Sequence, residues 1–145
     1  MIHLEPVTQD NYAAVTGLKV GSGQEKFVST VAESLAQAEL YKETAYPFAV
    51  YDDDVIVGFI MMGYYEAKQY YTLWKLLIDH RFQSRGYGRQ ALESGLKYIR
   101  ERFGPEDIYT GVVPENFVAK NLYESAGFEY TGVTEDGMEE MRLIY

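Results

Sequence analysis

Cysteine is absent from the 145 residues of this chain. That excludes a disulfide framework, a thiolate metal site and an acetyl-cysteine intermediate, so any acyl transfer is expected to be direct. Basic residues are few, 13 against 22 acidic, giving a net charge of −9. Such a balance argues against nucleic acid as a partner, because phosphate binding wants a basic face. It suits a small cation, and it equally serves plain solubility. A run of 18 apolar residues is missing, as is a basic-plus-apolar leader, so no membrane partner and a cytoplasmic location are expected. The two histidines, His3 and His80, lack partners at metal-ligand spacing, and no metal site is expected. Linkers, repeats and low-complexity tracts are also lacking, so residues 1–145 are expected to form one domain around a single core.

What is present alternates between strand and helix signals. Ile2 to Val7 reads as a strand, with Thr8 or Asp10 placed to cap the following helix. After the break Gly21-Ser22-Gly23, the residues Phe27, Val31, Leu35 and Ala38 recur at helical spacing, and Pro47 ends that region. Strands are expected over Phe48–Tyr51 and Val55–Tyr64, around the turn Asp52-Asp53-Asp54, and then over Tyr71–Ile78. A long helix from about Gly86 to Phe103 stops at Gly104-Pro105. Ile108–Val113 is a further strand, and Asn116–Ala126 a helix closed by Gly127. Two last strands, Phe128–Thr134 and Met138–Tyr145, flank the hairpin signal Asp136-Gly137. The pattern by itself supports a mixed α/β domain.

The informative stretch lies between Leu73-Trp74-Lys75-Leu76-Leu77-Ile78, a buried strand, and the helix carrying Leu92, Leu96, Ile99 and Phe103. It reads Asp79-His80-Arg81-Phe82-Gln83-Ser84-Arg85-Gly86-Tyr87-Gly88-Arg89. A strand-to-helix turn aims backbone N–H groups and the positive end of a helix dipole at one point, which suits a phosphate. Gly86 and Gly88 let the main chain approach an anion, and Arg85 and Arg89 can add charge-assisted bonds. The P-loop pattern is absent. Ala91 leaves only the G/A form of the dinucleotide fingerprint, for which Glu106 or Asp107 would be the acidic partner. Glycines used for packing at a helix start are the plain alternative.

Gln83-Ser84-Arg85-Gly86-Tyr87-Gly88 resembles the pyrophosphate loop [QR]-x-x-G-x-[GA] of the GNAT superfamily of N-acetyltransferases. Upstream, Ile78-Asp79-His80-Arg81-Phe82 is similar to that family's V-x-P-x-[YF], with His80 in place of proline. Downstream, Asn116, Ala119, Tyr123-Glu124 and Gly127-Phe128 are similar to its last motif, N-x-x-A-x-x-x-Y-E-x-x-G-F. The resemblance covers about residues 50–132 well. It implies a mostly antiparallel sheet of about seven strands with helices on both faces, in which strands four and five splay apart.

The resemblance also implies acetyl-CoA as co-substrate, without a metal. Backbone groups of Leu76, Leu77 and Ile78 would pair with the pantetheine arm, and the N–H groups of Gln83, Ser84, Arg85, Gly86, Tyr87, Gly88 and Arg89 with the pyrophosphate. Tyr123 would be the general acid that protonates the CoA thiolate, while Asn116 either binds the cofactor or caps its helix. The 14 tyrosines, with pairs at Tyr64-Tyr65 and Tyr70-Tyr71, either pack a hairpin or wall an alkyl-amine or the pantetheine arm. An ammonium has no lone pair, so a base is also expected, with Glu66 and Asp79 as candidates.

Trp74-Lys75-Leu76-Leu77-Ile78-Asp79 is similar to W-R-[FL]-[ML]-I-D of bacterial diamine and polyamine acetyltransferases, with lysine in place of arginine. A small-molecule polyamine such as spermine or spermidine is the implied acceptor. Glu25, Glu33, Glu39 and Glu43 either line its site or form a solvated helix face. A protein N-terminus, amino acid or antibiotic as acceptor, and a non-catalytic acyl-CoA sensor, are the other readings. The Tyr-rich final strands are a candidate homodimer interface.

Overall fold

A computed structural model describes residues 1–145. Its centre is a strand apolar on both faces, β3 (Val55–Tyr65). Val57, Ile60 and Met62 join one buried cluster, and Phe59 and Met61 the other. A strand buried on both sides needs cover on both, which is why this run shows no polar alternation. One face carries α3 (Tyr87–Phe103) through Ala91, Leu92, Leu96 and Ile99. The other carries α1 (Tyr12–Thr16) through Val15 and α2 (Val31–Leu40) through Val31 and Ala38.

The sheet has seven strands: β1 (Ile2–Pro6), β2 (Ala45–Asp52), β3, β4 (Tyr70–Ile78), β5 (Ile108–Val112), β6 (Glu129–Glu135) and β7 (Met138–Leu143). Their spatial order is β1-β2-β3-β4-β5-β7-β6, antiparallel everywhere except between β4 and β5. The mixed, mostly antiparallel sheet implied by the resemblance is therefore present. The last helix, α4 (Phe117–Ser125), connects β5 to β6. No helix is long and apolar enough to cross a membrane.

The β4–β5 pairing positions everything that follows. It lasts only for Tyr71↔Ile108, Thr72↔Tyr109 and Leu73↔Thr110, after which the two strands part. At the fork, the Thr110 hydroxyl donates to the Leu73 carbonyl at 3.0 Å. On its other side β4 bulges, because Met62 faces Leu73 and Met61 faces Lys75, leaving Trp74 without a partner. Gly63 makes room for the indole. A Cβ there would lie 2.5 Å from its Cζ3.

Several local expectations need correcting. Neither Thr8 nor Asp10 caps α1; Asn11 holds the N-cap position, and the Thr8 N–H donates to its Oδ1 at 2.8 Å. Pro47 does not end a region but lies inside β2. It is tolerated because β1 stops at Pro6↔Phe48, one residue short of it. Phe27 lies outside α2, which starts at Val31 behind a Thr30–Glu33 capping box.

Candidate active site

Past the fork, the gap between β4 and β5 opens into a cavity of about 510 Å³. It passes through the sheet. Leu76, Asn116, Ala119 and Tyr123 line it on the α3–α4 face, and Ser29, Glu33 and Lys75 on the α2 face. The Asp79 N–H donates to the Val57 carbonyl, so by two-residue alternation the Leu77 backbone also belongs to the β3 ladder. Leu76 and Ile78 turn their backbone groups to the open side. Leu77, expected to serve the same arm, faces β3 with its backbone and the second core with its side chain.

Beyond Ile78, a single 3₁₀ turn (His80–Phe82) leads into the loop before α3. The N–H groups of Gln83 through Arg89 donate to no group in the protein, neither backbone nor side chain. So many orphaned donors in one short stretch, ending at a helix N-terminus, form an anion cradle. Ser84 (φ 64°) and Gly86 (φ 82°) turn the chain through the left-handed region that allows it. A Cβ on Gly88 would sit 3.6 Å from Leu122 and 3.8 Å from Ile78, so its bare face looks into the gap between β4 and α4. Gln83 steadies the loop, since its Nε2 donates to the Ile78 carbonyl and to Gln24 Oε1, both at 2.9 Å.

The arginines divide their work differently from the sequence expectation. Arg85 has no carboxylate partner and is exposed, free to meet an anion. Arg89 turns away, donating to Glu93 Oε1 at 2.8 Å and to Ser125 Oγ at 2.9 Å. The Tyr87 hydroxyl is likewise occupied, donating to Asp52 Oδ2 at 2.6 Å in the β2–β3 hairpin. Tyr87 is therefore left with its backbone N–H for a ligand, and Arg89 with its backbone N–H and the unused guanidinium hydrogens.

The carboxylates expected near the reaction are placed elsewhere. Asp79 is 1% exposed and accepts from Lys19 N, Arg81 N and Arg81 Nε at 3.0, 3.0 and 2.8 Å. Burial alone would raise its carboxyl, but these donors win and hold it at about 2. A carboxylate so committed is no base. It clamps the start of the cradle to the turn after α1. Glu66 is exposed in the β3–β4 turn, beside a separate cavity of about 460 Å³ that shares only Tyr65 and Trp74 with the main one. Glu33 does line the main cavity, but its Oε1 accepts from Thr30 N at 2.9 Å, which lowers its pKa. Asn116 both lines the cavity and caps α4, accepting from Ala119 N at 3.3 Å.

Tyr123 is brought to the fork by α4 and is only 7% exposed. Burial pushes its phenol up to about 12, and the nearby Thr110 hydroxyl pulls modestly the other way. The group therefore keeps its proton through any ordinary working pH. Sequence reasoning missed Trp74 as the bulge, Thr110 as the fork's bond and Ser29 as the Lys75 partner. The last two depend on segments far away in the chain, and only the Trp in a strand run hinted at any of the three.

Residues 19–128 match the Acetyltransferase (GNAT) family. The spermine/spermidine N(1)-acetyltransferase of Bacillus subtilis is 30% identical over 98% of this chain and 97% of its own length. An N-alpha-acetyltransferase of Sulfurisphaera tokodaii is 31% identical over 53% of this chain and 52% of its own. Among solved structures, an N-acetyltransferase from Thermoplasma acidophilum in complex with coenzyme A superimposes with a TM-score of 0.74. It covers 100% of this chain and 99% of that one at 16% identity, a likeness of fold.

Proposed function

Because the chain belongs to the GNAT family of acetyl-CoA-dependent N-acetyltransferases, we propose that its acceptor is a primary amino end of a polyamine such as spermidine or spermine. The observation that carries this reading is a second chamber. A space of about 330 Å³ shares Tyr65, Tyr70, Trp74, Thr110, Gly111 and Met138 with the main cavity and continues it outward. Tyr41, Tyr65, Tyr70 and Trp74 wall it, and Glu135, Asp136 and Glu140 stand against one lysine, Lys68. Aromatic faces suit methylene chains and ammonium groups, and an excess of carboxylates suits a second positive charge. The similarity to the Bacillus subtilis polyamine enzyme along nearly the whole chain supports the same reading.

The cradle fits the co-substrate on the chain's own terms: unspent N–H donors, a bare Gly88 face, a free Arg85 and an open β4 edge. We assign the pyrophosphate to Gln83–Arg89, and the pantetheine arm to Leu76 and Ile78 with Asn116 beside it. Bound acetyl-CoA supplies a thioester: the neutral amine nitrogen bonds to its carbonyl carbon, the C–S bond breaks, and the amine loses one proton while the thiol gains one. Tyr123 holds the proton for the sulfur. A thiol near 8.5 is the stronger acid, so full transfer from a phenol at about 12 runs uphill in water. In the dry fork, donation of a hydrogen bond toward the leaving sulfur is the contribution that geometry favours.

Thiol release from acetyl-CoA tests the acceptor, with spermine, spermidine, putrescine, amino acids and short peptides offered in turn. The expected result is saturable turnover of spermidine or spermine, with kcat/KM about tenfold or more above any amino acid or peptide. Turnover confined to amino acids or peptides would overturn the polyamine reading. Binding of acetyl-CoA without turnover of any amine would favour a sensor.

A further inference from the structure

Lys75 follows the bulged Trp74 and is paired with Met61, whose side chain belongs to the core under α2. Residues opposite each other in a ladder share a face, so Lys75 points to the α2 side of the cavity. Its one hydrogen bond goes to Ser29 Oγ at 3.2 Å, and no carboxylate lies within salt-bridge reach. The ammonium is half-buried. Loss of water lowers its pKa, and Glu33 only partly offsets this. The other titratable groups facing the cavity are Glu25 and Lys26 from the loop before α2, Glu33 from α2, Tyr65 from β3, Tyr70 from β4 and Tyr123 from α4.

An unpaired cation in the cavity proposed to hold the thioester is a poor neighbour for a second cation. The reaction needs its acceptor nitrogen uncharged, and neither Asp79 nor Glu66 is placed to remove the proton. We propose that Lys75 is a specificity-determining residue of the acceptor half-site, whose ammonium excludes a protonated nitrogen from the fork and admits the neutral amino end. This rests on the polyamine reading and gives the bound acceptor a direction. Its neutral end lies at Lys75, and its remaining ammonium groups lie outward, toward Glu135 and Glu140.

The test is the pH dependence of kcat for spermidine in the wild type, Lys75→Arg and Lys75→Met, from about pH 6 to about pH 10, since kcat reports groups in the bound complex. Removing the charge makes the bound amine easier to protonate. In Lys75→Met the acid limb should therefore move up by about one pH unit, an about tenfold loss on the acid side that vanishes at high pH. Lys75→Arg should keep the wild-type limb. An even loss of kcat at every pH, or an unmoved limb in a folded Lys75→Met, would overturn the inference while leaving the acceptor reading intact. If the wild type uses a different amine, the same profiles are measured with that amine. No turnover of any amine by the wild type overturns the acceptor reading, and this inference with it.

Discussion

Replacing Tyr123 with phenylalanine should lower kcat by about 10²–10³-fold, the range typical for removing one hydrogen-bond donor to a developing anion. The ring survives the substitution, and with it the contact to Phe128 at 5.7 Å between centroids. The fold should therefore be kept, and KM for acetyl-CoA should change by no more than about twofold, because the proposed co-substrate contacts lie elsewhere, in the cradle and along β4. A group held at about 12 also predicts that the wild type shows no loss from phenol ionisation below about pH 10. Steady-state rates at saturating acetyl-CoA check both points. A Tyr123→Phe enzyme retaining more than about a third of wild-type kcat would remove this residue from the chemistry.

The largest effect on stability is expected at Asp79. Asp79→Ala leaves the N–H groups of Lys19 and Arg81 without their acceptor in a buried spot. Each orphaned donor costs about 1–3 kcal/mol, so a total of about 2–6 kcal/mol is expected for the two. Arg81 itself is 62% exposed and strands no buried charge, which keeps the cost from rising further. The pH dependence follows from the depressed carboxyl. Its folded pKa of about 2 lies below the ordinary 3.8, so its contribution is fully present above about pH 4 and is lost as pH falls through about 2. The span corresponds to roughly 2 kcal/mol. Urea unfolding at neutral pH and near pH 3 should show the wild type losing part of this margin on acidification, and Asp79→Ala losing less. Equal acid sensitivity in the two proteins would contradict the assignment.

The same residue shows where the sequence was legible. Asp79 stands at the end of a strand before a glycine loop, which marks it as a site-adjacent acid. Its actual role is set by Lys19, sixty positions earlier, and by burial that no local pattern announces. Arg89, expected to bond an anion through its side chain, instead spends part of its guanidinium on Glu93 and Ser125. By contrast, the cradle was legible because its chemistry is local: glycines, a helix start and unspent N–H groups lie within one stretch of chain. The outline of the sheet was legible for the same reason, through runs such as Val55–Tyr65. The fork was not. It depends on β5, a distant segment, lying beside β4 for three pairs only, and on Trp74 bulging against its hairpin partner β3. Pro47 misled because proline ends a strand only where a neighbour needs its N–H, and β1 stops short.

Amide chemical shifts of the isotope-labelled protein, followed while acetyl-CoA is added, test the central assignment most directly. The account predicts that the affected amides are those of Gln83–Arg89, with Leu76, Ile78 and the Asn116–Tyr123 face of α4, and that the Gln83–Arg89 amides become protected from solvent exchange. Shifts centred elsewhere, with Gln83–Arg89 unmoved at saturation, would contradict it.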